Sequence, residues 1–250
     1  MTALDAASLQ PLLRGSLGRR FTFVPECDST QELARAGDPP EGTVVATDHQ
    51  RAGRGRSGRT WEDVPGDALL FSLVLRPPAS PAVPQLSLVV ALAIAEALQS
   101  VAGRPVGIKW PNDVEIGGAK VAGVLLEASG GVVTCGVGIN VNQDASRLPA
   151  ETRRPAGSLR TATGRSHDRT ALLARVLDAL DGRYRAWLEG GIEPLLPAIE
   201  GRSTLTGRAV AVGATTTGVV AGIAADGRLR ITLGDGTEQP VESGEIELLD

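Results

Sequence analysis

Residues 50–61 read Gln-Arg-Ala-Gly-Arg-Gly-Arg-Ser-Gly-Arg-Thr-Trp, with three glycines and four arginines in twelve positions. The stretch opens no evident helix and lies between two strand-like runs, so it is a loop hung on a sheet. Glycine lets the main chain adopt φ > 0 and lets a ligand approach backbone N–H groups, while guanidinium groups offer paired donors that match phosphate or carboxylate oxygens. The residue order is not that of a P-loop, because no Gly-Lys-Ser/Thr follows. Gly53-x-Gly55-x-x-Gly58 matches the dinucleotide fingerprint by letters only, without its βαβ setting. On the loop alone two readings stay open: an anion-binding loop, or a solvated Arg/Gly segment that binds RNA without sequence preference.

The rest of the chain narrows that choice. A length of 250 residues suits one medium domain with a small appendage, and the formal net charge of -4 weighs against a general polyanion binder. The arginine loop is therefore a local feature. Cys27 and Cys135 lie far apart and form no metal-type cluster, so they read as buried apolar residues in a reducing compartment. Residues 1–10 carry no signal-peptide pattern, and the longest apolar run, 86–98, is broken by Ser87 and Glu96. A cytoplasmic protein with no membrane partner is expected.

Periodicity supplies the elements. A short helix is expected at 6–13, a strand at 19–24 with Phe21 and Phe23 alternating, and a helix opened by a Ser29-to-Glu32 capping box and closed at Gly37. Ser29 and Thr30 either cap that helix or offer its free N–H groups to an anion or carbonyl. Strands at 43–47 and 68–75 flank the arginine loop, the prolines of 76–84 make a connection, and 86–101 is apolar enough for a buried helix. Next, 106–116 reads as one strand interrupted at Pro111 by an edge or bulge that re-aims Asn112 and Asp113. Strands at 120–127 and 132–139 complete a meander of two hairpins, with Lys120 near an edge. Gly136 and Gly138 clear one face of the last strand, for a packed helix or for a ligand. Residues 143–166 read as irregular, and Asp168 caps a helix over 169–189 whose apolar stripe is core. A last helix over 192–199 is interrupted by Pro197. From about Thr206, short β-branched runs separated by Gly213, Asp226-Gly227 and Asp235-Gly236 describe an SH3-like barrel. The expected fold class is α+β, with a mixed-sheet domain over 1–203 and the barrel over 204–250.

Five motifs in order, Asp28-Ser29-Thr30, the 50–61 loop, Lys109-Trp110-Pro111-Asn112-Asp113, Lys120-Val121-Ala122-Gly123-Val124-Leu125-Leu126-Glu127 and the 136–140 strand end, resemble the biotin protein ligases. Each alone is weak; the ordered set is strong. The resemblance spans about 20–145 by motif and the remainder by layout. It implies a class II synthetase-like catalytic domain, MgATP and biotin as reactants, biotinyl-5'-AMP as intermediate, and a lysine of a biotin carboxyl carrier domain as acceptor. Because 1–19 is too short for the DNA-binding domain of bifunctional members, a monofunctional ligase without a DNA partner is expected, as monomer or homodimer.

The same resemblance assigns residues. Ser29, Thr30 and Gln50 match positions that bond the ureido ring of biotin, with Gly53, Gly123 and Gly136 giving close backbone approach. Arg54, Arg56 and Lys120 are the cations for carboxylate and α-phosphate, Arg54 and Lys120 counting toward the biotin side as well. Trp61 matches a cover for the adenine, and Asn112 and Asn140 line the nucleotide. Arg54, Lys120 and Asp113 are the catalytic candidates, Asp113 to orient and deprotonate the attacking lysine. No metal ligands are assigned. Gln31 departs from the family, where many members have Asn. The four like charges of the loop suggest a segment mobile until ligand orders it. The rivals are a lipoate ligase of the same fold, a nonenzymatic nucleic-acid module, and a homologue that has lost activity.

Overall fold

A computed structural model describes residues 4–78, 85–149, 155–213, 216–242, 244 and 246–249. Seven strands, β1 (Arg20–Cys27), β2 (Thr43–Gln50), β3 (Ala68–Leu75), β4 (Val106–Lys109), β5 (Asp113–Ile116), β6 (Ala119–Ser129) and β7 (Val132–Asn140), form one mixed sheet in the order β1-β2-β3-β7-β6-β5-β4. The first pair is parallel and every other pair is antiparallel. The helices are α1 (Ala6–Leu9), α2 (Thr30–Arg35), α3 (Leu86–Ala102), α4 (Leu159–Thr163), α5 (Arg169–Gly190) and α6 (Leu196–Glu200).

Burial explains the sheet's centre. All eight residues of β3 are buried, as expected of a strand covered on both faces: α2 packs against it on one side and α5 on the other. Along β7, Cys135, Val137 and Ile139 join the core with α3 and α5, which pack together. Period-two alternation then turns Gly136 and Gly138 to the opposite face, where the site is built. The long stripe of α5, with Leu172, Leu173, Val176, Leu177, Leu180, Tyr184 and Trp187 buried, is core as read, and Asp168 caps it by accepting from the N–H groups of Thr170 and Ala171. Both cysteines are free and buried; burial pushes the Cys27 thiol up, and that of Cys135 up to about 12.

The structure corrects several expectations. Residues 106–116 are not one bulged strand: β4 and β5 pair with each other, Lys109 opposite Asp113, and Trp110-Pro111-Asn112, with a cis Trp110–Pro111 bond, turns the chain between them. The meander therefore has three hairpins, and its bulge lies later, at Val114/Glu115 opposite β6. Lys120 is not at an edge, because 155–157 bonds its backbone (Lys120 N to Pro155 O, 2.9 Å; Gly157 N to Lys120 O, 2.8 Å). The segment 143–166 contains α4, opened by a true capping box in which Ser158 and Thr161 bond reciprocally. Ser29, by contrast, sits at the N-cap of α2 but makes no side-chain cap bond. Pro197 starts α6 rather than interrupting a helix.

A second, antiparallel sheet of five strands, β8 (Ala209–Val212), β9 (Thr216–Ile223), β10 (Leu229–Thr232), β11 (Glu238–Val241) and β12 (Ile246–Leu248), has the order β11-β10-β9-β8-β12. The connection before it extends the first sheet, since Ile108 N donates to Arg202 O (2.7 Å) and Thr204 N to Ile108 O (3.0 Å). Trp110 Nε1 and Lys109 Nζ reach the carbonyls of Gly227 (3.0 Å) and Ile246 (3.1 Å), fastening the turn beside the site to the small domain. Among the described residues no helix is long and apolar enough to cross a membrane.

Candidate active site

The site begins where β2 and the start of α2 meet. The N–H of Thr30, one of the donors a helix start leaves unpaired, bonds Gln50 Oε1 (2.9 Å), and Thr30 Oγ1 lies 3.2 Å from the same oxygen and 2.8 Å from Ser72 Oγ. Gln50, from β2, thus satisfies the first free N–H of α2. Ser29, Thr30 and Gln31 are all buried. Gln31 donates to the carbonyl of Leu125 (3.1 Å) and lies directly over Gly136, where a Cβ would come within 2.8 Å of its amide carbon.

The arginine loop is folded back on itself. Arg51 N and Ala52 N carry the β1–β2 pairing onward to the carbonyls of Cys27 and Asp28, and bonds from Trp61 N to Gly53 O (3.0 Å) and Gly55 N to Arg59 O (2.7 Å) make 53–61 a tight hairpin. Gly53 is required there: a Cβ would stand 2.5 Å from the Trp61 carbonyl oxygen. The hairpin sets the Trp61 indole on the two glycines across β6 and β7, with added Cβ atoms meeting the ring at 3.0 Å from Gly123 and 2.5 Å from Gly138. Its Nε1 is buried with no partner among the described residues.

Each arginine of the loop has a partner, an acidic one in the case of Arg51 and Arg54. Arg51 pairs with Asp28 (2.7 Å) and Glu26 (3.0 Å), Arg54 shares Glu127 with Arg35 (3.2 and 2.7 Å), Arg56 bonds Asn112 Oδ1 (3.2 Å), and Arg59 Nε donates to the carbonyl of Arg56 (3.3 Å). Burial lowers the Arg56 pKa, which Asp113 pulls back up and Arg59 pushes further down. An arginine so placed stays charged. Below it, Asn112 Nδ2 is fixed by the carbonyl of Val124 (2.7 Å), and Asp113 at the start of β5 faces Lys120 Nζ at 2.8 Å. Lys120 also lies 5.6 Å from the Trp61 ring centroid.

Two clusters result. Ser29, Thr30, Gln50 and Gly53 gather at the α2 end, and Arg56, Trp61, Asn112, Asp113, Lys120 and Gly123 converge over β5 and β6. Asn140 follows Gly138 on the same face of β7, its Nδ2 bonded to Gly157 O (2.9 Å). Two predicted site residues stand apart: Arg54 is turned to Glu127, and Gly136 is covered by Gln31. Sequence reasoning missed Glu127, the tether of Arg54, although it closes the β6 motif. It also missed Gln143, which bonds Asn140 and, with Glu62, Asp63 and Arg147, lines a cavity of about 60 Å³. No signal in the sequence marks Gln143, whose placement follows from the turn after β7. Among the described residues no group of three His, Cys, Asp or Glu side chains could hold a metal ion.

Residues 24–144 match the Biotin/lipoate A/B protein ligase family and residues 200–249 the biotin protein ligase C-terminal domain. A Mycobacterium tuberculosis protein named biotin--[acetyl-CoA-carboxylase] ligase is 34% identical over 259 residues, covering 97% of this chain and 95% of that protein. The chain belongs to the biotin/lipoate protein ligase family. Another member, the bifunctional ligase/repressor BirA of Bacillus subtilis, is 34% identical over 93% of this chain and 75% of its own length. In three dimensions, a solved biotin protein ligase from Aquifex aeolicus in complex with biotin and ATP superposes with a TM-score of 0.84 at 33% identity, covering 92% of this chain and 98% of that one. The ligase fold thus extends through both sheets, and the motif residues of this family member surround one sheet face.

Proposed function

We propose that this chain is an ATP-dependent ligase that activates biotin as biotinyl-5'-AMP and transfers the biotinyl group to a lysine of a biotin carboxyl carrier domain. The observation that carries the reading is the convergence of Lys120, Asp113, Arg56 and Asn112 beneath the Trp61 lid, on a sheet face cleared by Gly123 and Gly138. In the first half-reaction the biotin carboxylate oxygen bonds the α-phosphorus of ATP and pyrophosphate leaves. Two anions must approach each other, so the positive charge of Lys120 and Arg56 lowers the barrier. Arg54 joins them once it exchanges Glu127 for the incoming carboxylate. Ser29, Thr30, Gln50 and Gly53 hold the ureido end, and Trp61 and Asn140 hold the nucleotide. In the second half-reaction the lysine amine attacks the acyl carbon, AMP leaves, and Asp113 takes up the amine's proton.

Magnesium characteristically binds through one or two carboxylates and substrate phosphates rather than an all-protein cage. The phosphates of ATP would carry the ion, which would supply charge neutralisation there, while Asp113 stays beside Lys120 for the transfer step. Net charge -4 weighs against DNA as macromolecular partner, and two buried free cysteines fit a reducing cytoplasm. The test is pyrophosphate release by purified protein with ATP, Mg²⁺ and either biotin or lipoate. Acyl-adenylate is expected from biotin alone; formation from lipoate alone overturns the assignment.

A further inference from the structure

The amide of Gln143 is held in one orientation by its neighbours. The Gly157 carbonyl can only accept, so Asn140 turns Nδ2 to it (2.9 Å) and presents Oδ1 to Gln143, whose Nε2 donates to it at 3.0 Å. Ser158 Oγ donates to the Gln143 carbonyl (2.7 Å), so the backbone is pinned as well. Gln143 is 1% exposed, and with Nε2 committed its Oε1 is left buried without a partner among the described residues. This residue lines the cavity of about 60 Å³ that begins at Glu62, next in the chain after Trp61, and includes Asp63 and Asn140. Asp63 is already used, accepting from Gln50 N (3.3 Å) and paired with His49 Nδ1 (2.9 Å). Arg147, at the cavity's half-exposed side, is paired with Asp67 (2.9 Å).

From this geometry we infer that Gln143 is a specificity-determining residue for the nucleotide, its Oε1 accepting from the 6-amino group of adenine. The inference rests on the ligase reading above and deepens it. A buried acceptor with no donor is costly to leave so, and the ligand that enters must bring an N–H. The cavity has room for an amino group and a ring edge beside Asn140, which the ligase reading places on the nucleotide side. Adenine brings a donor at its 6-position. Guanine brings a carbonyl oxygen there, which would set two acceptors face to face, and unsubstituted purine brings nothing.

The experiment measures biotin-dependent pyrophosphate release with ATP, GTP and purine riboside triphosphate, which lacks the 6-amino group. Wild type is expected to favour ATP over purine riboside triphosphate in kcat/KM by roughly ten- to hundredfold, the consequence of one unmade bond to a buried acceptor. In Gln143→Met, which keeps the volume and removes the oxygen, that preference should collapse to within a fewfold. The loss should fall on ATP while purine riboside triphosphate is little changed. Equal use of the two triphosphates by wild type, a measurement that needs no variant, overturns the inference. So does an equal loss on both in Gln143→Met, the mark of a residue that only props Asn140. Silence with every triphosphate would sink the ligase reading itself, and this one with it.

Discussion

Lys120 and Asp113 face each other at 2.8 Å, yet the two half-reactions ask different things of them. Adenylation needs positive charge at the developing phosphoryl anion, so Lys120→Ala is expected to slow pyrophosphate release on the order of 10² to 10³-fold with the melting temperature little changed. A rate within a fewfold of wild type would remove Lys120 from that role. Aminolysis instead needs a neutral lysine, whose unperturbed pKa is about 10.4. Asp113→Asn is therefore predicted to form adenylate at a near-normal rate and to transfer it slowly, with transfer recovering as pH rises and more of the carrier amine is unprotonated. Single-turnover transfer from preformed adenylate across a pH series reads this directly. A parallel fall in both half-reactions would instead place Asp113 at the magnesium or the loop.

Among the elements, the 53–61 hairpin and α4 are held by different physics. The hairpin has little apolar surface besides Trp61, and beyond its backbone bonds it is tied down by one ion pair, Arg54 to Glu127, and by Arg56 bonding Asn112. An exposed ion pair is worth little, so the half-buried Arg56 with its bond to Asn112 is the stronger tie. Arg56→Gly is expected to let biotinyl-5'-AMP escape and to label lysines on bystander proteins. Labelling that stays confined to the carrier domain would show that the loop does not retain the adenylate. Helix α4 depends on its cap: Ser158 satisfies the N–H of Thr161 (3.0 Å) and also bonds the Gln143 carbonyl. Ser158→Ala should cost about 1–2 kcal/mol in urea unfolding, near the upper end for a lost cap because the hydroxyl is fully buried.

Over the whole molecule, the turn between β4 and β5 links the two sheets. Its indole and lysine bond the Gly227 and Ile246 carbonyls on one side, while Asn112, two residues after Trp110, bonds the arginine loop on the other. Trp110→Phe keeps the ring packed but leaves the Gly227 carbonyl unpaired, at a cost of about 1–3 kcal/mol. Faster amide exchange is expected in β9, β10 and the β4–β5 turn, with β3 and β7 still protected. Unchanged protection in the small domain would mean that the apolar contacts alone fasten it.

Local patterns determined much of this molecule. The apolar run of β3 and the stripe of α5 with its Asp168 cap read correctly because each is a period written into neighbouring residues. The five motifs in order fixed the family for the same reason. Tertiary structure decided whatever depends on a distant partner. Thr30's N–H finds its acceptor in Gln50, twenty residues away, and the Ser29 cap bond that the local sequence offers is not formed. Pro111 can interrupt a strand or turn a hairpin, and only the pairing of Lys109 with Asp113 selects the turn. The four arginines look mutually repulsive along the chain, and the acidic groups that pair with Arg51 and Arg54 lie on β1, β6 and the residue after β1. Gln143 carried no local sign at all: its fixed amide and orphaned oxygen follow from Asn140, Gly157 and Ser158, which meet only when the segment beyond β7 folds back beside Lys120.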